Sequence, residues 1–289
     1  MKYAYYPGCS LHSTAKEYGV SAQAVCQLLE IKLEEVPRWT CCGATSAHSI
    51  DRLLSVALPV KNLLEVQKMD QDMLVCCAAC YNRHRIANKV MQENEEERKK
   101  INEILQEEYE GKVKVRHLLD ILINDYRPEK VKQKMKKELK GLKIVSYYGC
   151  LLNRPPDIVG FDDPEDPVSL DRIVEITGAS PIDWSYKTEC CGASFSLNRT
   201  EIVIKLCHDI LKTAKEEEAD CVVVACPLCQ ANLDMRQQQI EKEYQEELNL
   251  PVLFFTQLLG LAGEIPLRSL GLDKHMVDPM PLLKKKKIL

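Results

Sequence analysis

The sequence predicts an α/β protein made of two pseudo-symmetric halves, each a parallel sheet flanked by helices. Three observations carry that prediction. Short apolar runs alternate with longer amphipathic stretches, one cysteine pattern occurs twice, and cysteines stand at the ends of the apolar runs. Taken in order, the runs Tyr3–Tyr6, Met73–Val75, Leu142–Val145 and Cys221–Ala225 read as short buried strands. Ile50–Lys68 and Glu201–Glu217 carry apolar residues at helical spacing. Strands alternating with helices imply parallel sheets, because each crossover needs a helix to return the chain. Working residues of such Rossmann-like sheets gather at the carboxyl ends of the strands. Cys9, Cys77, Cys150 and Cys226 each follow a predicted strand there, and the Cys-Cys-Gly pairs fall in loops that open helices.

The repeat sets the domain organisation. The first half reads Cys9, Cys41-Cys42-Gly43-Ala44 and Cys77-x-x-Cys80; the second reads Cys150, Cys190-Cys191-Gly192-Ala193 and Cys226-x-x-Cys229. The step from Cys42 to Cys77 is 35 positions, and so is the step from Cys191 to Cys226. Cys9 to Cys41 spans 32 positions and Cys150 to Cys190 spans 40, which places an insert of eight in the Asp- and Pro-rich segment Phe161–Pro167. The flanks repeat as well: Tyr6-Pro7-Gly8 matches Tyr147-Tyr148-Gly149, and His117-Leu118-Leu119 matches Gln257-Leu258-Leu259. The expected domains are 1–138 and 139–289, with the boundary near Lys136–Gly141.

Bulk composition excludes several functions. Of 289 residues, 45% are hydrophobic and 28% charged, a balance that lets both halves bury a core. The net charge of −4 gives no reason to expect nucleic acid. No apolar run reaches the roughly 18 residues of a membrane span. The segment Met1–Pro7 lacks a signal-peptide core, so a cytoplasmic location without membrane contact is expected. The Lys284–Lys287 run reads as a solvated tail. No G-x-G-x-x-G follows a strand and no phosphate-binding P-loop is present, so flavin, nicotinamide and ATP are expected on partners.

Fourteen cysteines in a reducing compartment argue for metal or redox chemistry. Thiolates are soft ligands that suit iron–sulfur clusters, zinc or Cu(I). Gly43 and Gly192 allow backbone to pass close to a bulky inorganic core, and the first turn of a following helix offers N–H groups to negative charge. Other readings compete. Disulfides conflict with the cytosol, a thioredoxin-type Cys77-x-x-Cys80 leaves three cysteines of each set unexplained, and tetrahedral zinc leaves one spare. The C-x₂-C-x₂-C run of cubane ferredoxins is absent. Cys26, Cys76, Cys207 and Cys221 fall outside the pattern and read as core packing; Cys76 is off-register, its repeat partner being Ala225.

Ten cysteines at these spacings resemble the CCG cysteine-rich domain, C-x₃₁₋₃₉-CC-x₃₄₋₃₆-C-x₂-C, over essentially the whole chain. Within that group the chain resembles the B subunit of heterodisulfide reductases, as the segment Tyr147–Pro156 and the two-copy layout indicate. The resemblance implies two noncubane [4Fe-4S] clusters at an interdomain cleft. Cys9, Cys41, Cys42, Cys77 and Cys80 would hold one, and Cys150, Cys190, Cys191, Cys226 and Cys229 the other. It further implies reduction of a disulfide such as CoM-S-S-CoB to two thiols, with Cys42 and Cys191 at the reacting centres. Electrons would arrive from a small ferredoxin-like C subunit and a flavin-bearing A subunit. His12, Asn153 and Arg154 lie close after cluster cysteines and are candidates to line the cleft, His12 to donate a proton or to orient a substrate carboxylate or phosphate. His48, His84, His117, His208 and His275 show no ligand spacing. Two further readings stand beside this one: a CCG subunit passing electrons to or from a quinone, and a zinc or scaffold protein.

Overall fold

The computed structural model describes residues 1–44 and 47–289. Two four-stranded parallel sheets form, one from each copy of the repeat. The first is ordered β2-β1-β3-β4, with β1 at Lys2–Tyr6, β2 at Lys32–Glu35, β3 at Met73–Val75 and β4 at Val115–His117. The second is ordered β6-β5-β7-β8, with β5 at Lys143–Tyr147, β6 at Ser180–Ile182, β7 at Cys221–Val224 and β8 at Val252–Phe254. Every pairing is parallel. Central strands β3 and β7 are wholly buried apolar runs, because helices cover both faces. The edge strand β2, Lys-Leu-Glu-Glu, is mostly exposed and its charges block pairing with another chain.

Sheet order positions the site. The chain leaves β1 toward β2 on one side and passes through β3 to β4 on the other. The crevice at the carboxyl ends of β1 and β3 is therefore the point where the winding reverses. Cys9 follows β1 and Cys77 follows β3; Cys150 and Cys226 hold the same places after β5 and β7. The insert lies where the spacing places it, in the turns between the short helix Pro156–Val159 and the helix Ser169–Ile176.

One sequence match is corrected by strand register. Val75 pairs with His117, and Val224 pairs with Phe254. The counterpart of His117 is therefore Phe254, not Gln257. A Leu-Leu dipeptide that starts one turn later in the second half caused the slip of three residues.

The halves are packed back to back through side chains of both. The helix Lys16–Leu28 lies on the helix Phe255–Ala262, with Ser21 Oγ 2.7 Å from Thr256 Oγ1. Tyr18 stacks on Phe254 at a ring separation of 4.0 Å. Its hydroxyl donates to the carbonyl oxygen of Cys76 at 2.9 Å and lies 3.3 Å from that of Ala225. These carbonyls are repeat counterparts, so one phenol lies on the pseudo-twofold between the two Cys-x-x-Cys segments. His117 holds the same Cys76 oxygen from within the first half: Nδ1 accepts from Leu119 N–H, which places the ring proton on Nε2, 2.6 Å from that oxygen. From the other side, Asn82 donates to the carbonyls of Leu151 and Arg154, and Tyr81 to that of Val159.

Tyr18→Phe keeps the stack and deletes the hydroxyl shared by both halves. A loss of about 1–3 kcal/mol is expected in urea unfolding, because buried carbonyls lose a donor. An unchanged midpoint would show that the shared hydroxyl adds nothing to the joining of the halves.

Candidate metal centre

Each half brings its five sequence-identified cysteines to one sheet edge. In the first, Cys9 lies in the helix Gly8–His12, Cys41 and Cys42 in the loop beyond β2, and Cys77 caps the helix Ala78–Glu93 with Cys80 one turn inside. The second half repeats this, with Cys226 capping Pro227–Met235 and Pro227 at the first helical position. The thiols meet in matching pairs. Cys9 and Cys41 are 3.9 Å apart, as are Cys150 and Cys190. Cys42 and Cys80 are 3.3 Å apart, and Cys191 and Cys229 3.7 Å. The inner pairs are buried, while Cys9, Cys41 and Cys190 reach the surface.

Backbone and aromatic side chains hold the loops in place. Gly43 N–H points at Cys41 Sγ at 3.4 Å, and Gly192 N–H at Cys190 Sγ at 3.3 Å. Tyr6 donates to the Thr40 carbonyl at 2.8 Å and Tyr147 to that of Glu189 at 2.7 Å, tying each first strand to its Cys-Cys loop. Gly8 and Gly149 take positive φ, +70° and +65°, and pass so close to the inner thiols that a Cβ would lie 3.2 Å from Cys80 Sγ and 2.9 Å from Cys229 Sγ. Asn62 brackets Thr40 from both its backbone groups, and Asn232 donates to the Cys191 carbonyl at 3.0 Å.

Crowding splits the thiol acidities. Cys41 is pulled down to about 2 by hydrogen bonds from Cys42 and Cys9, while the Cys9 thiol is pushed up by Cys41. Cys190 is lowered to about 6 by Cys150 and the Gly192 N–H, and Cys150 is raised. Cys226 lies well below the ordinary thiol value because Cys229 and Cys77 donate to it, helped by N–H groups of its own helix start. Cys77 is raised in turn, first by Cys226. Cys77 and Cys226 thus shift one another's acidity across the seam between the two sets.

Among the described residues, no three His, Cys, Asp or Glu side chains close on a single ion. The thiols are arranged as pairs around a shared space. All five cysteines of the second half line one enclosed cavity of about 90 Å³, together with Ala78, Ala79 and Arg83 of the first. A larger cavity of about 620 Å³ lies beside edge strand β2, away from both sets. Soft donors in pairs, inward-facing N–H groups and glycines hugging the sulfurs fit a polynuclear thiolate-held group. Asn153 is fully buried and neither of its amide atoms has a partner among the described residues, three residues past Cys150.

The remaining sequence candidates spread out. His12 is half-exposed, packed edge-on against Trp39 and 4.0 Å from Glu35, and is not part of the cavity lining. Arg154 turns to the insert, donating to the Pro164 carbonyl, Glu165 and Thr188. Cys26, Cys76, Cys207 and Cys221 are all buried, and Cys207 points at the Cys191 carbonyl. Tyr18, Arg83 and Asn232 carry no sequence motif; Tyr6, Tyr147 and His117 were visible in the repeated flanks, the last matched to the wrong partner.

Comparison with known proteins agrees with the repeat. The CCG cysteine-rich domain model matches residues 3–85 and 144–234. The 8-methylmenaquinol:fumarate reductase membrane anchor subunit of Wolinella succinogenes is 34% identical, covering 97% of this chain and 99% of that protein. The B subunit of the ferredoxin:CoB-CoM heterodisulfide reductase of Methanosarcina mazei is 29% identical over 98% of this chain and 96% of its own length. A protein of Archaeoglobus profundus described as like the heterodisulfide reductase B subunit is 30% identical over 90% of each. A crystal structure of a hypothetical protein from Helicobacter pylori superimposes with a TM-score of 0.76 at 16% identity, a likeness of fold; it covers 96% of this chain, which spans 52% of that one.

The acidity pattern predicts the order of alkylation in metal-free protein. Cys190 becomes a thiolate as pH rises through about 6, and Cys41 is a thiolate at lower pH still. At pH 7, iodoacetamide should label these two ahead of Cys9 and Cys150. Mass spectrometry of peptides from a pH series reads the order, and equal labelling would contradict the pattern.

Proposed function

The chain belongs to the CCG cysteine-rich domain family, and on that premise we propose that it is the iron–sulfur, disulfide-reducing subunit of a heterodisulfide reductase-type complex. One observation carries the reading: the five-thiol set is present twice, and one Tyr18 hydroxyl lies on the carbonyls of Cys76 and Ala225, which immediately precede Cys77 and Cys226. Cys9, Cys41, Cys42, Cys77 and Cys80 would hold one [4Fe-4S] cluster, and Cys150, Cys190, Cys191, Cys226 and Cys229 the other, both noncubane. When bound, these clusters supply one-electron transfer and iron as a Lewis acid toward sulfur.

The reaction converts one disulfide, two electrons and two protons into two thiols. A disulfide has two sulfurs to be met, and two adjoining sets serve one bond without diffusion between sites. The chain's own groups do the holding. Tyr6 and Tyr147 fix the Cys-Cys loops, Tyr18 fixes the Cys-x-x-Cys segments against one another, His117 holds the backbone before Cys77, and Ala44, Ala78, Ala79 and Leu151 exclude water. The electrons would come from a small ferredoxin-like C subunit and a flavin-bearing A subunit. A second reading, an electron-passing CCG subunit working with a quinone, is favoured by the 34% identity to the fumarate reductase anchor subunit. Among the described residues no helix is long and apolar enough to cross a membrane.

Protein isolated without oxygen should carry roughly eight iron atoms per chain, four for each cluster; stoichiometric zinc without iron would overturn the assignment. In a reduced-viologen assay on disulfides, Cys42→Ser and Cys191→Ser should each lower the rate by at least about 100-fold. Full activity in both variants would remove those cysteines from the site. A wild-type protein that reduces no disulfide, yet exchanges electrons with a quinone analogue, would favour the second reading.

A further inference from the structure

A cavity of about 620 Å³ opens on the first half, between the helix Lys16–Leu28 and edge strand β2. It shares no lining residue with the cavity between the cysteine sets. Its volume falls in the range of roughly 300–1,000 Å³ that small-molecule sites occupy. Gln23, Cys26 and Gln27 line it from one face of the helix, and Ile31 and Leu33 add apolar surface. Tyr5 reaches it from strand β1. That side chain is 2% exposed, and its hydroxyl has no hydrogen-bond partner among the described residues. The Gln23 amide faces the hydroxyl without closing a bond. Burial holds the phenol well above its ordinary pKa, so it keeps its proton and acts as a donor. A buried donor left unpaired is costly and calls for an acceptor. The fold itself does not ask for this phenol. Tyr5 pairs with Leu74 as Ser146 pairs with Val223, so the second copy of the repeat has a serine in its place.

The charges around the cavity lie at its rim. Glu30 pairs with Lys134 at 2.7 Å, and Glu35 accepts from Trp39 Nε1 at 3.0 Å. Lys32 is the one cation among the described lining residues, so two carboxylates against one ammonium disfavour an anionic ligand. What remains is a phenol donor, two amides and apolar surface, which suit an uncharged ring that carries a carbonyl. Resting on the second reading above, we propose that this cavity binds the headgroup of a quinone, with a ring carbonyl accepting from the Tyr5 hydroxyl and the ring lying on Ile31 and Leu33. A flavin ring offers the same carbonyl and apolar chemistry, and the test separates the two.

The test is anaerobic calorimetric titration of the oxidised, cluster-loaded chain with duroquinone, whose four methyl groups block addition of thiols, and with lumiflavin. Duroquinone should bind at a single site, and lumiflavin at least about 10-fold more weakly. Tyr5→Phe should weaken duroquinone about 3- to 10-fold, the worth of one uncharged hydrogen bond. Gln27→Trp fills the cavity from an exposed helix position and should abolish binding. Iron content should be unchanged in both variants. Absence of duroquinone binding, binding unchanged in either variant, or tighter binding of lumiflavin would overturn the proposal. If duroquinone binding depends on Tyr5 but the chain exchanges no electrons with the quinone, the cavity stands and the second reading falls. If electron exchange with duroquinone continues at the wild-type rate in both variants, the second reading stands and this site falls.

Discussion

Ten thiols crowded at the carboxyl ends of two sheets are the constraint on which the rest of this structure depends. Thiolates repel one another, and burial disfavours their charge. The fold answers with N–H groups: Gly43 and Gly192 point at the outer sulfurs, and N–H groups of the helix that starts at Pro227 favour the Cys226 thiolate. Each donor must lie within hydrogen-bond reach, so the loops cannot be long or loose. Hence the positive-φ glycines directly under Cys80 and Cys229, and the tyrosines that end β1 and β5 and hold the Cys-Cys loops from below.

The same constraint joins the halves. Cys77 and Cys226 perturb one another, so neither Cys-x-x-Cys segment is independent of its counterpart. The link is made through backbone. Tyr18 and His117 hold the carbonyl of the residue before each of these cysteines, and burial keeps His117 neutral, so that Nε2 stays a donor without adding a buried charge. A rigid seam of this kind fixes the separation of the two sets more tightly than two domains joined by a surface loop would.

The sheets and the cysteines were legible because both leave short-range marks. Buried parallel strands read as apolar runs, and thiol ligands come at fixed spacing around turns, so β1, β3, β5 and β7 and all ten motif cysteines follow from local pattern. The insert was legible for the same reason, as a length difference between two copies of one unit. What escaped reading was long-range. Tyr18 and Ala225 are 207 residues apart, and nothing local marks Tyr18 as the residue on the pseudo-twofold. His117 was matched to Gln257 because Leu-Leu dipeptides align more readily than a histidine with Phe254; only register corrects it. His12 follows Cys9 closely, but the short helix it ends turns its ring toward Trp39. Arg83 looks like any basic residue of a polar helix until the opposite half is folded against it.

Duplication alone would give two equivalent sites, and equivalent sites treat the two ends of a substrate alike. Repeat symmetry here is close in the elements that hold sulfur: the pairs, the glycines and the tyrosines recur with separations that differ by a few tenths of an ångström. It fails in the groups that surround those elements. Cys76 faces Ala225, His117 faces Phe254 and Arg83 faces Asn232 in the repeat. Two of the three place a polar or charged side chain in the first half against a group that is apolar or internally satisfied in the second. The scaffold thus keeps its symmetry where the cysteine geometry must be reproduced, and gives it up in the polarity of the side chains around it.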